Sequence, residues 1–168
     1  DLPAVGRNLQ DRYEVGVVNR MAVPVWPSLR DASFEHGDPV WRRWARWGLG
    51  MYSSNGAALT IALRSAPDAP LPDLFVMSLL APFRGYFPGY SREIAEHRNR
   101  LTWSILKAHT RNRTGVVKLQ SADPTEPPLI DFHYFNRADD PDEADLGAVV
   151  DGIRFARRLA SPLLRSGA

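Results

Sequence analysis

The residues best equipped for acid–base or metal chemistry are four histidines, His36, His97, His109 and His133. None stands at metal-ligand spacing from another, and no Ser-His-Asp order accompanies them. The absence of cysteine removes thiolate zinc sites, disulfides and a Cys nucleophile, and leaves the redox compartment open. Acids gather at Asp139-Asp140-Pro141-Asp142-Glu143. A calcium loop would need a glycine at its sixth position, where Ala144 stands, so these acids are read as caps opposing a helix dipole. No G-x-G-x-x-G fingerprint and no P-loop occurs. The sequence therefore offers no catalytic set and no metal set. His109 and His133 remain the local candidates for base work, each read first as a structural or pocket-lining histidine.

Composition bounds the elements that must position such residues. A chain of 168 residues with 44% apolar content and five Trp fits one globular domain with its own core. Fourteen prolines suggest a loop-rich α+β fold. No apolar run approaches the roughly 18 residues of a membrane span, and no signal peptide opens the chain. The expectation is a cytoplasmic protein with neither a membrane nor a nucleic acid as partner. A net charge of +2 gives no polybasic surface.

Glu14 to Pro24 reads as a strand with Val15, Val17, Val18, Met21 and Val23 as its apolar set. Asp38-Pro39 opens a helix as N-cap and first residue, and Gly48 stops it. Trp41, Trp44 and Trp47 share one face of that helix, with Arg42, Arg43 and Arg46 largely opposite. Basic and aromatic residues together could mark a nucleic-acid surface. One short helix is too small a footprint for that, so the favoured reading puts Trp in the core and Arg in water.

Ser53-Ser54-Asn55-Gly56 is a turn into a strand over 57–63. The apolar run 74–80 reads as a buried strand. Residues 81–91, APFRGYFPGYS, hold two Pro, two Gly and four aromatics, which forbids a regular element yet still packs. This is either an Ω-loop covering the core or a lid over a channel. A polar helical turn follows over 92–100, then a strand over 101–110. Thr102, Ser104, Leu106 and Ala108 form one face of that strand; Trp103, Ile105, Lys107 and His109 form the other. The last helix, about 143–160, carries Leu146, Val149, Val150, Ile153 and Leu159 on one stripe, and Pro162 ends it.

Between these elements lies RNRTGVVKLQSADPTEPPLIDFHYF, residues 111–135, which reads as a strand, a proline-loaded turn and a second extended segment. Gly115, Val117, Leu119, Ser121, Ala122, Asp123, Pro124, Pro127, Pro128, Ile130, Asp131 and Tyr134 resemble a pattern of the glucose–methanol–choline oxidoreductases, G-x-V-x-L-x-S-A-D-P followed by P-P-x-I-D-x-x-Y. Phe132 departs from a frequent Pro and His133 from a frequent Asn. The opening DLPAVGRNLQD is similar to the family's segment leading out of its flavin domain, through Leu2, Pro3, Val5, Gly6, Asn8, Leu9, Gln10 and Asp11. Ala4 replaces a Gly there and Arg12 a frequent His.

The resemblance implies that residues 1–168 are a substrate-binding domain: a mostly antiparallel sheet with helices on one face, roofing a flavin. The Rossmann unit that binds FAD and the late catalytic His motif would lie outside them, so the chain alone is expected neither to hold FAD nor to catalyse. Its partners would be the FAD-binding domain and a small-molecule alcohol, oxidised by proton removal and hydride transfer to the flavin. Asn8, Gln10 and Asp11 would border the flavin, although Asn8 and Asp11 can equally close turns. Choline-oxidising members carry a Glu on the strand where Ala58 stands, which argues for a neutral alcohol. The pocket would be lined by Ala58, Phe83, Tyr86, Trp103, Ile105 and His109. The Trp103 face is assigned to it because burying Lys107 under a helix without a partner would cost several kcal/mol. Without its flavin domain the sheet face would be bare and prone to self-association. The alternative is a catalytically silent binding or scaffold domain on the same sheet.

Overall fold

A computed structural model describes residues 2–165; residue 1 and residues 166–168, the ends of the 1–168 unit, lie outside the described residues. Nine helices and strands follow in the order β1 (Tyr13–Arg20), α1 (Pro39–Trp47), β2 (Ala57–Leu63), β3 (Leu74–Leu79), α2 (Tyr90–Glu96), β4 (Arg100–Lys107), β5 (Val116–Lys118), β6 (Leu129–Asp131) and α3 (Ala144–Arg165). Two short 3-10 turns precede and follow α1. The fold is α+β, as the sequence predicts.

The main sheet is antiparallel throughout, in the order β1-β4-β3-β2. Its register aligns Val15, Ile105, Val76 and Ile61 in one row across all four strands. Partners in register point to the same face, and this row packs under α3 with Leu74, Leu101 and Trp103. The helix meets the sheet through small residues: Ala148, Gly152, Ala156 and Ala160 are buried. A Cβ on Gly152 would lie 2.6 Å from Ile105 Cγ2, so the helix backbone itself touches the strand.

That contact corrects the predicted stripe. Val149 is buried, but Leu146 is exposed and Ile153 and Leu159 flank the interface half-buried. The period is right and the phase is rotated, because Trp103 and Ile105 already fill the space beneath the helix. Pro162 does not end α3, which runs on to Arg165; a proline so near the last turn removes little of the helix's hydrogen bonding. At the other end Asp140 accepts the amide of Asp145 at 2.8 Å and so caps the helix. Asp139 serves the loop instead, accepting Arg113 N and Thr114 Oγ1.

Lys107 is the second correction. It is 5% exposed and lies on the α3 face, paired with Asp73 at 3.3 Å and Asp145 at 3.5 Å. Its ammonium also donates to the Ala108 carbonyl at 2.7 Å. The predicted cost of burial assumed no partner, and two carboxylates supply one. The Trp103 face therefore belongs to the core under α3, and the open face is the one turned away from that helix, although Thr102 and Ser104 on it are themselves buried.

Only one face of the sheet carries α3, so β3 is not buried throughout. Leu74, Val76 and Ser78 are covered while Phe75 stays exposed. Helix α1 begins and ends as predicted: Asp38 accepts the Trp41 amide at 2.6 Å, and Gly48 takes the left-handed φ of 64°. Its tryptophans are not core residues, however, since no residue of α1 is buried. The β5–β6 ribbon pairs Val116 with Asp131 and Lys118 with Leu129, the predicted strand, turn and extended segment. The N-terminal segment runs along it through a Leu9–Gly115 bridge. A Cβ on Gly115 would sit 2.2 Å from the Leu9 carbonyl oxygen, which is why only glycine fits there.

Candidate functional site

The open face of the sheet is built from the alternate residues of its strands. Glu14, Gly16 and Val18 of β1 stand in register with Leu106, Ser104 and Thr102 of β4, and these with Phe75, Met77 and Leu79 of β3. The loop after β3 folds back over part of this face and is pinned there by one residue. Thr102 Oγ1 donates to the Ala81 carbonyl at 2.6 Å and accepts the Phe83 amide at 3.0 Å. Gly16 leaves the room for that crossing, because a Cβ would meet the Phe83 carbonyl oxygen at 2.9 Å.

Between loop, sheet and the segments flanking α1 lies a cavity of about 550 Å³. Phe34, Tyr52, Phe83, Tyr86 and Tyr90 supply aromatic walls, with Met51, Met77 and Leu79 among the apolar residues beside them. Phe83 meets Tyr86 edge-on at 5.3 Å between centroids, and Tyr86 meets Tyr90 likewise at 5.5 Å. Glu14 supplies the cavity's acidic group and accepts a hydrogen bond from Ser104 Oγ.

A second carboxylate holds the wall in place. Asp38 accepts from Tyr52 OH at 2.5 Å, Ser33 N at 2.8 Å and Phe34 N at 3.1 Å, besides capping α1. Burial alone would raise its pKa, but these hydrogen bonds, Tyr52's first among them, outweigh burial and hold the carboxyl well below its usual range. Burial and the bond to Asp38 push the Tyr52 phenol up. Tyr52 stacks on Phe34 at 5.9 Å, so Asp38 fixes both rings.

Of the predicted pocket residues, Phe83 and Tyr86 line this cavity. Ala58 is exposed beside the irregularity between Ala57 and Leu59 and does not line it. Trp103 and Ile105 lie on the opposite face, in the core. His109 is exposed at the end of β4, with a left-handed φ of 54°. There it borders a groove shared with Gln10, Asp11, Arg12 and Arg113, so it is brought to the segment predicted to border a flavin. Within that segment Gln10 donates to Asn8 at 2.9 Å, and Asp11 accepts Tyr134 OH at 2.5 Å. Burial and that bond raise Tyr134 to about 12. His133 spans Asp131 at 2.8 Å and the Thr114 carbonyl at 2.9 Å, a bracing role. Among the described residues no group of acids and histidines could hold a metal.

Sequence reasoning missed Glu14, Ser104 and Tyr52. The first two carried a legible signal: Glu14 keeps step with Gly16 and Val18 against the apolar Val15 and Val17, so it had to face away from the core. Tyr52 gave no such signal, because its place depends on a contact with Asp38 across α1.

No family model matches the chain. It is 32% identical over 166 residues to an oxygen-dependent choline dehydrogenase of Paraburkholderia phymatum, covering 98% of this chain and 27% of that protein. With the corresponding enzyme of Pseudomonas savastanoi pv. phaseolicola it shares 29% identity over 161 residues, 95% of this chain and 26% of that one. Among solved structures, a formate oxidase of Aspergillus oryzae RIB40, studied for its FAD modification, matches with a TM-score of 0.63 at 22% identity. That match covers 92% of this chain and 30% of the other. These relatives are choline dehydrogenases, of the glucose–methanol–choline family that the sequence resembles, and the chain spans about a quarter of their length.

Proposed function

We propose that residues 1–168 form the substrate-binding portion of an FAD-dependent alcohol oxidoreductase. The observation that carries this reading is the aromatic cavity on the open sheet face, in a chain whose relatives are choline dehydrogenases. These residues do not fit the FAD diphosphate. A helix N-terminus is the usual phosphate cradle, but at α1 and α3 a carboxylate, Asp38 or Asp140, already occupies it, and α2 is a seven-residue helix with Glu93 in its first turn. FAD is therefore assigned to the rest of the longer protein, with residues 8–11 at most along its border.

The chain's own task is to receive the alcohol, orient it and keep water out. The aromatic wall suits an apolar or aromatic body, and the Ser104–Glu14 pair offers a hydrogen-bonding end. Glu14 favours a second reading, in which the alcohol carries a positive charge: a carboxylate beside several rings suits an organic cation, despite Ala58.

The complete protein, purified with its flavin, tests both. Anaerobic addition of benzyl alcohol or choline should bleach the flavin. Preference for the neutral alcohol supports the first reading. Preference for choline, lost in Glu14→Gln, supports the second. A protein that retains no flavin, or whose flavin no alcohol reduces, would instead favour a silent binding domain.

A further inference from the structure

The aromatic wall that the loop lends to the cavity is suspended rather than packed. Tyr86 lines the cavity while 81% exposed, so little apolar burial holds it in place. It leans on Phe83 at one side and on Tyr90, the first residue of α2, at the other. Arg84 meets Glu93 of that helix at 3.8 Å, but the guanidinium stands largely in water, which makes the pair a weak tie. The firm anchor is Thr102, fully buried on β4. Its single hydroxyl holds the Ala81 carbonyl and the Phe83 amide together, with buried Pro82 between them.

A second cavity, of about 390 Å³, lies against the same loop. It shares Glu14, Phe83 and Tyr86 with the first, and Arg84 and Gly85 complete the turn along it. The turn over 83–86 is thus a partition with space on each side.

We propose that Thr102 is a positioning residue that sets the size of alcohol the site accepts. The inference rests on the aromatic cavity being where the alcohol binds. Without the Thr102 hydroxyl, one carbonyl and one amide of the crossing segment must find water instead, and they reach it by lifting off the sheet. Phe83 follows its amide, Tyr86 follows Phe83, and the two cavities run together beside Glu14. Gly16, on the neighbouring strand β1, acts on the same contact. A Cβ there would lie 2.9 Å from the Phe83 carbonyl oxygen, a backbone atom, so the segment would have to move outwards. Two residues on two strands therefore predict one effect: a site that holds compact alcohols less well and extended ones better.

The test compares the complete protein, with its flavin, with three variants. Thr102→Val keeps the branched shape and loses the hydroxyl, Thr102→Ser keeps the hydroxyl, and Gly16→Ala displaces the segment from the other side. Hydrogen exchange of the peptide covering 81–89 reads the loop without any turnover. It should quicken in Thr102→Val and Gly16→Ala and stay slow in Thr102→Ser. Anaerobic flavin reduction by benzyl alcohol and by para-phenylbenzyl alcohol then reads selectivity; for a parent that prefers choline, the pair is choline and its N-benzyl analogue. The half-saturating concentration of the extended alcohol, divided by that of the compact one, should fall about tenfold in the valine and alanine variants, the effect of one good hydrogen bond. Thr102→Ser should restore the parent ratio. Circular dichroism checks each fold, and Gly16→Ala carries the test should Thr102→Val not fold. Unchanged exchange, or quickened exchange with an unchanged ratio, would overturn the proposal and leave the alcohol reading standing. A parent whose flavin no alcohol reduces would overturn both.

Discussion

Lys107 decides which face of the sheet is which, and it does so through residues far from it in sequence. One ammonium serves Asp73, just before β3, and Asp145, at the start of α3. Removing it by Lys107→Met would leave two nearly buried carboxylates facing each other, and such unpaired buried charge costs about 3–5 kcal/mol. Urea denaturation of the variant should show a loss of that order; a change below about 1 kcal/mol would mean that water reaches the cluster. Asp73 also makes stability depend on pH. Burial pushes its pKa up, but bonds from Ser65 and the charge of Lys107 outweigh burial and hold it below 3.8. Its contribution is complete above that unfolded value and is lost as pH falls through the lower folded one. Melting temperatures measured below pH 4 should therefore fall less steeply in Asp73→Asn than in the parent, from a lower plateau. Parallel curves would contradict the assignment. The Lys107 face was misread from sequence for a definite reason: the price of burial is legible in a single residue, while its compensation depends on two distant ones.

Among the elements, the strands of the main sheet were legible because alternation and turn residues report locally on a pleated strand. The caps of α1 were legible for the same reason. What the sequence could not carry was the phase of α3. Several rotations of that helix bury a plausible apolar stripe, and the choice among them falls to the shape of the opposing surface. Gly152 shows how tightly that surface selects. In an isolated helix Gly→Ala gains about 1 kcal/mol, but here the added methyl would lie 2.6 Å from Ile105 Cγ2. Overpacking of this kind costs about 1–3 kcal/mol, so Gly152→Ala should leave the protein unchanged at best and up to about 2 kcal/mol less stable. Combined with Ile105→Ala, which vacates the space, the two changes should be less destabilising than their sum. A stabilised single variant, or strict additivity of the pair, would show that α3 is free to move off the sheet.

At the scale of the whole molecule the sheet is backed by a helix on one side and only partly covered, by a loop and the segments flanking α1, on the other. Helix α3 covers one face of the sheet; on the other, the loop from Ala81 shields only the β1–β4 half, leaving Phe75 exposed on β3. The β5–β6 ribbon is likewise apolar and open, with Leu119 82% exposed and Leu129, Ile130 and Tyr134 uncovered. Monomeric proteins rarely leave contiguous apolar patches beyond a few hundred Å². The curated relatives are nearly four times longer than the matched region, which gives these surfaces a natural cover in the rest of such a protein. Residues 1–168 expressed alone should then self-associate at high concentration and bind a hydrophobic dye, and should pass through gel filtration without a flavin absorbance band. The complete protein should show no dye signal, because the open face becomes an internal one. A monodisperse 1–168 monomer that binds no dye would mean that the sheet face is content in water, and the argument for a covering flavin domain would lose its physical basis.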